Sequence, residues 1–407
     1  MKLAIAIPAL NEEASIGGVL RAALAAREVI TRLAPLEDVE ITVVSDGSTD
    51  RTAEIAAQFG DAVKLIVFPH NRGYGAAIKE AWRQTEADLL GFMDADGTCD
   101  PAFFGELCRT MAASGADIVL GCRMSRTSRM PFVRRVGNTL FAWLLTALSS
   151  RRVRDTASGM RIVRRSAVRR LFPLPDGLNF TPAMTARALL DGGLRLVEVD
   201  MPYHERAGRS KLQPARDGWR FLKAIFDAAF LYRPYVPFAV LGVLCALTAT
   251  ALMVRPILYY LGHRAVLEWM IYRFITSQLL GISAALLLAA AYLTRKMVRI
   301  GLGGRWPAPR LERLVSGPTA LVGVGILVLA GGALVAPSVV QLVRTGATYE
   351  HWSRFVTMSF LVSVALILVV VRAIDHVLNL LAVRLEYLRE TAAAGEPEEL
   401  RLGRDHG

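Results

Sequence analysis

The chain predicts an α/β domain built on a mostly parallel sheet, followed by an all-α transmembrane domain of four helices. Three observations predict it. Up to about residue 212, short apolar runs alternate with helix-length amphipathic stretches; that order builds a parallel sheet covered by helices on both faces. Beyond Arg233, four long apolar segments each meet the roughly 20 residues that a bilayer-spanning helix needs. Hydrophobic residues make up 53% of the 407, a high share for a soluble protein.

The strands are expected at "LAIAI" (3–7), "EITVVS" (40–45), "VKLIVF" (63–68), "DLLGFM" (88–93) and "ADIVLG" (116–121). Helices are expected between them, near 13–27, 51–59, 74–86 and 101–114. In such sheets ligands gather at the carboxyl ends of the strands. The opening "MKLAIAIPALNEE" has one lysine and too short an apolar run for a signal peptide. It reads as a buried first strand, which leaves this domain in the cytosol.

Two stretches mix aromatic, aliphatic and arginine residues: "RMPFVRRVGNTLFAWLLTALSSRR" (129–152) and "PARDGWRFLKAIFDAAFLYR" (214–233). In the second, Trp219, Leu222, Phe226 and Phe230 share one helical face. Beside a membrane domain, such helices are expected to lie in the bilayer interface, with packing into the core as the alternative. The spans fall near 235–258, 272–293, 318–343 and 355–383. The arginine-rich loop between the second and third marks a cytosolic side, and an even number of spans returns the tail to it. The resulting division is 1–212 α/β domain, 213–233 interfacial, 234–383 transmembrane and 384–407 cytosolic tail. Arg255, Arg372 and Asp375 sit towards span ends, where snorkelling or helix pairing accounts for them. A transporter would place its acids or broken helices at mid-membrane instead.

The net charge of +12 suits nucleic acid, anionic lipid or phosphorylated substrates. Its location beside membrane-seeking segments disfavours nucleic acid. The four cysteines (Cys99, Cys108, Cys122 and Cys245) have neither CxxC spacing nor histidine partners, which fits a reducing compartment and argues against zinc. The arginine-over-lysine bias points to a GC-rich bacterial gene, hence to an inner or plasma membrane.

Chemistry is expected at the strand ends. "PALNEE" (8–13) and "SDGSTD" (45–50) place acids and small polar residues where strands give way to helices. They suit helix caps, and equally a nucleotide pocket with Glu12 and Asp46 on base and ribose. "NRGYGAAIKEAW" (71–82) puts glycines at a helix start, where backbone amides can approach a diphosphate. "MDADGTCDP" (93–101) then offers Asp94 and Asp96. Alone it is a turn; at an extended strand end, residues two apart point to one side and converge on one ion.

In this order, PALNEE, VVSDGSTDRT, NRGYGAAIKEA, MDADGTCDP, GCR, DTASGMRIVRR and ERAGRSKL resemble the family 2 glycosyltransferases. More narrowly they resemble the dolichol-phosphate mannose synthase and polyprenyl-phosphate branch. The resemblance covers about the first 212 residues and implies a GT-A, Rossmann-like fold. It implies that a nucleotide-sugar lies over the sheet and that Mg²⁺ or Mn²⁺ bridges its diphosphate. It places Pro8, Asn11, Glu12 and Asp46 on the nucleoside and Asp94 and Asp96 on the metal. Asp96 is the likelier direct ligand of the two. Carboxylate and phosphate oxygens suit these ions. Gly73 and Lys79 are expected on the donor, and "ERAGRSKL" (205–212) is expected either to close over the diphosphate through Arg209, Ser210 and Lys211 or to tether the domain to headgroups. Two positions depart from the family pattern: Ser45 stands where an acid is frequent, and Thr98 where a glutamine is common.

The acceptor follows from what the chain lacks. No Q-x-x-R-W motif occurs, since Asp217 follows Arg216 in "QPARDGW" (213–219), and no T-E-D-type triplet precedes it. A polyprenyl phosphate, undecaprenyl or dolichyl, is already anionic and attacks without a strong base. It needs cations, and Arg123, Arg126, Arg129, Arg134 and Arg135 offer them. General attraction to anionic lipid is the alternative for most of these; Arg123 is the best specific candidate. In "DTASGMR" (155–161), the resemblance puts Asp155 at the reaction centre, with Ser158 and Arg161 positioning it or the acceptor phosphate. The expected activity is inverting transfer of one sugar from a UDP- or GDP-sugar to polyprenyl phosphate at the cytosolic face. Transfer to a lipid or glycan hydroxyl, or an idle scaffold or flippase partner, are the rival readings. A homo-oligomer is left open.

Overall fold

The computed structural model describes residues 1–125, 130–202, 214–302, 312, 315–347 and 351–394. The chain divides into two compact units, Met1–Tyr232 and Arg233–Gly407. The stretch read as interfacial, 214–233, folds almost wholly with the first.

Among its described residues the first unit holds seven strands: β1 (Lys2–Ala9), β2 (Asp38–Asp46), β3 (Lys64–Phe68), β4 (Leu89–Phe92), β5 (Ile118–Cys122), β6 (Arg161–Arg164) and β7 (Leu196–Asp200). They form one sheet in the order β3-β2-β1-β4-β6-β5-β7. Only β6 runs antiparallel, between β4 and β5. This is the mostly parallel α/β architecture expected of the sequence. The five expected strands are present; β6 and β7 are additional. β6 is four residues capped by arginines, and β7 reads "LVEVD" and is only half-buried, so neither carries an apolar run to announce it.

Burial explains the layout. β1 is covered on both faces, which is why its seven inner residues are all apolar. Leu3, Ile5 and Ile7 pack with α1 (Ile16–Leu33) and α4 (Phe103–Ser114). Ala4 and Ala6 face α3 (Tyr74–Arg83) and α7 (Phe180–Leu190), where Trp82, Phe92 and Phe180 interlock at centroid distances of 5.8–6.0 Å. The short helices α2 (Thr52–Ala57) and α6 (Arg165–Leu171) complete the cover. A third cluster joins α7 to α5 (Phe132–Ser149) and α8 (Pro214–Tyr232) through Leu145, Leu189, Ile225 and Ala228.

The pairing of β6 matters most for function. Its first residue, Arg161, lies opposite Phe92 at the end of β4. The turn preceding β6 is thereby brought beside the acids that follow β4.

The second unit contains α9 (Tyr235–His263), α10 (Ile271–Leu302), α11 (Pro318–Thr345) and α12 (Trp352–Ala394). All four are long and apolar enough to cross a membrane. Their interior is less bare of charge than the sequence implies. Asp375 is buried on α12, accepts from the Tyr292 hydroxyl at 2.6 Å and pairs with the buried Lys296 of α10. Arg372 donates to the carbonyls of Val315, Ser316 and Gly317 at 2.7–3.0 Å, capping the chain ahead of α11. Helix pairing is thus the role of both.

Candidate active site

A cavity of about 660 Å³ opens at the carboxyl ends of β1, β2 and β4, the edge where a sheet of this kind holds ligands. Pro8 and Glu12 line it from the β1 exit, Asp46 from the end of β2, and Asp94 and Asp96 from the turn after β4. Asn11 is not on its wall. With φ at +48°, it ties two loops together: its amide donates to Ser48 Oγ (3.1 Å) and its Oδ1 accepts from Thr49 N (2.7 Å). Glu12 N likewise donates to Thr52 Oγ1 at 2.8 Å. Asp50 Oδ1 accepts from Thr52 N at 3.0 Å, while the N-cap residue itself, Arg51, makes no side-chain cap.

The start of α3 differs from expectation. Its amides were expected to cradle a diphosphate, but the protein itself has taken them. Arg72 N and Gly73 N donate to the Asp46 carboxylate at 2.6 and 2.9 Å. Gly75 N and Ala76 N donate to the Asp176 carbonyl at 2.6 and 3.1 Å. A Cβ at Gly73 or Gly75 would strike the backbone of Pro175 and Asp176, so these glycines exist for the approach of that loop. Gly73 still lines the cavity. Lys79, expected on the donor, instead braces the same loop, donating to Leu174 O at 2.8 Å and pairing with Asp176 at 2.6 Å.

Asp94 and Asp96 do share the cavity, but not from a strand. β4 ends at Phe92, and a turn through Gly97 (φ +73°) presents them. A hydroxyl holds each. Tyr74 donates to Asp94 Oδ1 at 2.7 Å; Thr98 donates to Asp96 Oδ1 from both its hydroxyl (2.6 Å) and its amide (3.1 Å). Burial, then the charge of Asp94, drive the Tyr74 phenol well above its ordinary pKa, so it stays a donor. Behind Asp94 lies Gly159, where any Cβ would overlap the carboxylate. Among the described residues no group of three or more His, Cys, Asp or Glu could hold a metal. The pair supplies two hard oxygen donors, which fits an ion that keeps water and substrate phosphate in its remaining places.

The same cavity also has cationic and apolar lining. Arg123, just past β5, lines the cavity with Arg134 of α5 and Arg220 of α8, beside Val133, Phe141 and Phe221. Asp155 grips Arg123 in three hydrogen bonds: from its amide (3.0 Å), Nε (2.8 Å) and Nη2 (2.9 Å). Asp155 is fully buried, and its backbone N–H donates to Glu198 on β7 at 2.8 Å. Burial alone would raise its pKa; the charge and hydrogen bonds of Arg123 outweigh that and hold it below the usual carboxylate range. It therefore acts through Arg123 rather than facing the cavity.

Ser158 and Arg161 shape the turn that carries Asp155 and do not line the cavity. Ser158 Oγ donates to Gly121 O at 2.6 Å. Arg161, wholly buried, is spent on Ser158 O (3.0 Å), Thr185 Oγ1 (2.7 Å) and Thr156 O (3.0 Å). Burial lowers its pKa only to about 10, so it stays charged. Both fix the turn's shape and neither reaches an acceptor. Arg126, Arg129, Arg209, Ser210 and Lys211 lie outside the described residues.

The sequence profile of glycosyl transferase family 2 matches residues 4–172. The dolichyl-phosphate hexose transferase of Haloferax volcanii is 32% identical over 230 residues, a match that spans 55% of this chain and 92% of that protein. This chain belongs to glycosyl transferase family 2. The low-salt glycan biosynthesis hexosyltransferase Agl6 of the same organism is 32% identical over 257 residues, covering 61% of this chain and 59% of Agl6. Among solved structures, glucosyl-3-phosphoglycerate synthase of Mycobacterium tuberculosis, solved with Mn²⁺, UDP and glucosyl-3-phosphoglycerate, is similar at a TM-score of 0.43 and 21% identity. That match covers 56% of this chain and 78% of that one.

In this family 2 glycosyltransferase, sequence reasoning missed Tyr74, Gly159, Asn138 and Glu198. Asn138 of α5 lines the cavity and accepts at Oδ1 from Thr156 N (3.0 Å) and Oγ1 (2.7 Å), stitching the helix to the Asp155 turn. Tyr74 sits between two motif glycines and Gly159 inside a quoted motif, so both were in view without a partner to give them meaning. Glu198 carried no local signal at all.

Proposed function

We propose that this family 2 glycosyltransferase transfers a single sugar, with inversion, from a UDP- or GDP-sugar to polyprenyl phosphate at the cytosolic membrane face. One observation supports this above the others: the cavity lining combines an acidic set of residues with a cationic, apolar set. Glu12, Asp46, Asp94 and Asp96 provide the first; Arg123, Arg134 and Arg220, with Val133, Phe141 and Phe221, provide the second. An anionic lipid headgroup with an apolar tail matches the second set. The name of the Haloferax relative, a dolichyl-phosphate hexose transferase, points the same way.

The membrane-side helices fit an acceptor held in lipid. α5 exposes Phe132, Val136, Leu140 and Trp143, and α8 exposes Trp219, Phe226 and Phe230, while their other faces are buried. Aromatic and aliphatic rows of this kind sit in the bilayer interface. The four apolar helices then anchor the enzyme, with their arginine-rich connection cytosolic.

In the reaction, a phosphate oxygen of the acceptor attacks the anomeric carbon from the face opposite the leaving group. The bond from that carbon to the diphosphate oxygen breaks, and nucleoside diphosphate departs with the electron pair. No proton moves, because the acceptor phosphate is already ionised. Arg123, held rigid by Asp155, orients and partly neutralises that phosphate. When bound, Mg²⁺ or Mn²⁺ at Asp94 and Asp96 would neutralise charge on the departing diphosphate.

The test mixes purified full-length protein, Mn²⁺ or Mg²⁺, labelled nucleotide-sugars, and undecaprenyl or dolichyl phosphate in detergent. A lipid-linked sugar released by mild acid is expected. An acid-stable product would favour a hydroxyl acceptor. No product with any donor, from protein that binds nucleotide, would sink the proposal.

A further inference from the structure

Both acids at the centre of the site are held by hydroxyl groups of the protein's own making. The Tyr74 hydroxyl meets Asp94 Oδ1 at 2.7 Å, and the Thr98 hydroxyl meets Asp96 Oδ1 at 2.6 Å. We propose that Tyr74 and Thr98 are positioning residues that fix the two carboxylates for a divalent cation, and that Tyr74 sets how tightly that cation is held. This rests on the reading of Asp94 and Asp96 as the metal pair.

The surroundings make Tyr74 a rigid arm. It is the first residue of α3, after Gly73 at φ +106°. The Asp176 carbonyl clamps the next two amides, and the tyrosine ring stands edge-on to Phe92 at 6.4 Å. On the far side, Gly159 leaves room for the Asp94 carboxylate and nothing more. Asp94 is therefore gripped between a fixed hydroxyl and a bare backbone. Thr98, fully buried, binds Asp96 from amide and hydroxyl together, which closes the Asp-Gly-Thr turn on itself. It is absent from the cavity wall, so it acts through Asp96 rather than as a third ligand. Hydroxyls that orient ligating carboxylates raise affinity by removing orientations the ion cannot use.

The experiment is a Mn²⁺ titration of the full chain in detergent, followed by electron paramagnetic resonance, with UDP or GDP present and absent. Tyr74→Phe keeps the ring and removes only the hydroxyl. It is expected to weaken Mn²⁺ binding by about 10- to 100-fold with an unchanged melting temperature, and excess Mn²⁺ should restore turnover. Thr98→Val should weaken binding similarly, and Thr98→Ser should recover it. Equal Mn²⁺ affinity in wild type, Tyr74→Phe and Thr98→Val overturns the inference. A wild type that binds nucleotide but no Mn²⁺ overturns the metal reading itself, a failure distinct from the first. A Tyr74→Phe protein with a collapsed melting temperature and no rescue by Mn²⁺ makes Tyr74 a structural residue and also counts against the proposal.

Discussion

Gly159 is where side-chain chemistry depends most directly on a missing atom. Its backbone fills the space behind Asp94, and a methyl group there must displace the carboxylate. Gly159→Ala should therefore cut turnover by about 100-fold, the loss typical of a misplacement near 1 Å, while the fold still melts cooperatively. Retained turnover would show that Asp94 can move without cost. Arg123 and Asp155 form the other residue-scale unit. Removing one partner of a buried pair costs about 3–5 kcal/mol, so Arg123→Ala should lower the melting point more than Arg123→Lys. Lysine keeps the charge but loses the two-pronged geometry, so its turnover should still fall. A carboxyl whose folded pKa lies below its unfolded value of about 3.9 stabilises the fold above that value. The contribution is lost as pH falls through the folded value. The melting-temperature gap between wild type and Asp155→Asn should thus stay level from about pH 5 to about pH 8 and close below about pH 4. A gap that closes near neutrality would contradict the depressed pKa of Asp155.

At the scale of elements, α5 and α8 have two duties. Each buries one face against α7 and shows the other, aromatic face outward. Asn138 links α5 to the turn that carries Asp155, so the exposed aromatic row and Arg134 are tied to that turn through one helix. Replacing Trp143 and Trp219 together with serine should raise KM for the lipid acceptor several-fold while nucleotide binding holds, measured by acceptor titration and by donor displacement. An equal loss for both substrates would show that the helices serve only the fold. These helices were legible because aromatic and arginine residues recur at helical spacing. So were β1 to β5, whose apolar runs are long enough to show. β6 and β7 were not, since "RIVR" and "LVEVD" are stabilised by their neighbours in the sheet rather than by their own composition. The α3 start was legible as a glycine-bearing junction but misread in purpose. Nothing near residue 75 in the sequence announces that residues 174–176 will cover it.

For the molecule as a whole, the two units answer to different solvents, and their charges follow. In the second, Lys296 and Asp375 form a buried pair between α10 and α12, with Tyr292 and the Arg299–Glu312 pair beside it. Lys296→Met leaves Asp375 buried without its ion-pair partner and should destabilise that unit by about 3–5 kcal/mol. Nucleotide binding at the proposed donor site within Met1–Tyr232 should persist. The check is a melting curve beside a nucleotide titration on the same detergent-purified protein; parallel loss of both would mean that the units do not fold independently.

The sequence by itself determined the alternation that makes the sheet, the four apolar helices, and the acids and arginines that the cavity gathers. These are local properties: periodicity, run length and residue type are written within a few turns of chain. The tertiary structure alone decided that β6 enters antiparallel between β4 and β5, bringing Gly159 to Asp94 and the Asp155 turn to Arg123. It also decided that Arg161 and Ser158 would be consumed by buried carbonyls, and that Lys79 would serve a loop. Which polar group meets which is settled by burial, because an interior donor or acceptor must find a partner wherever the fold supplies one.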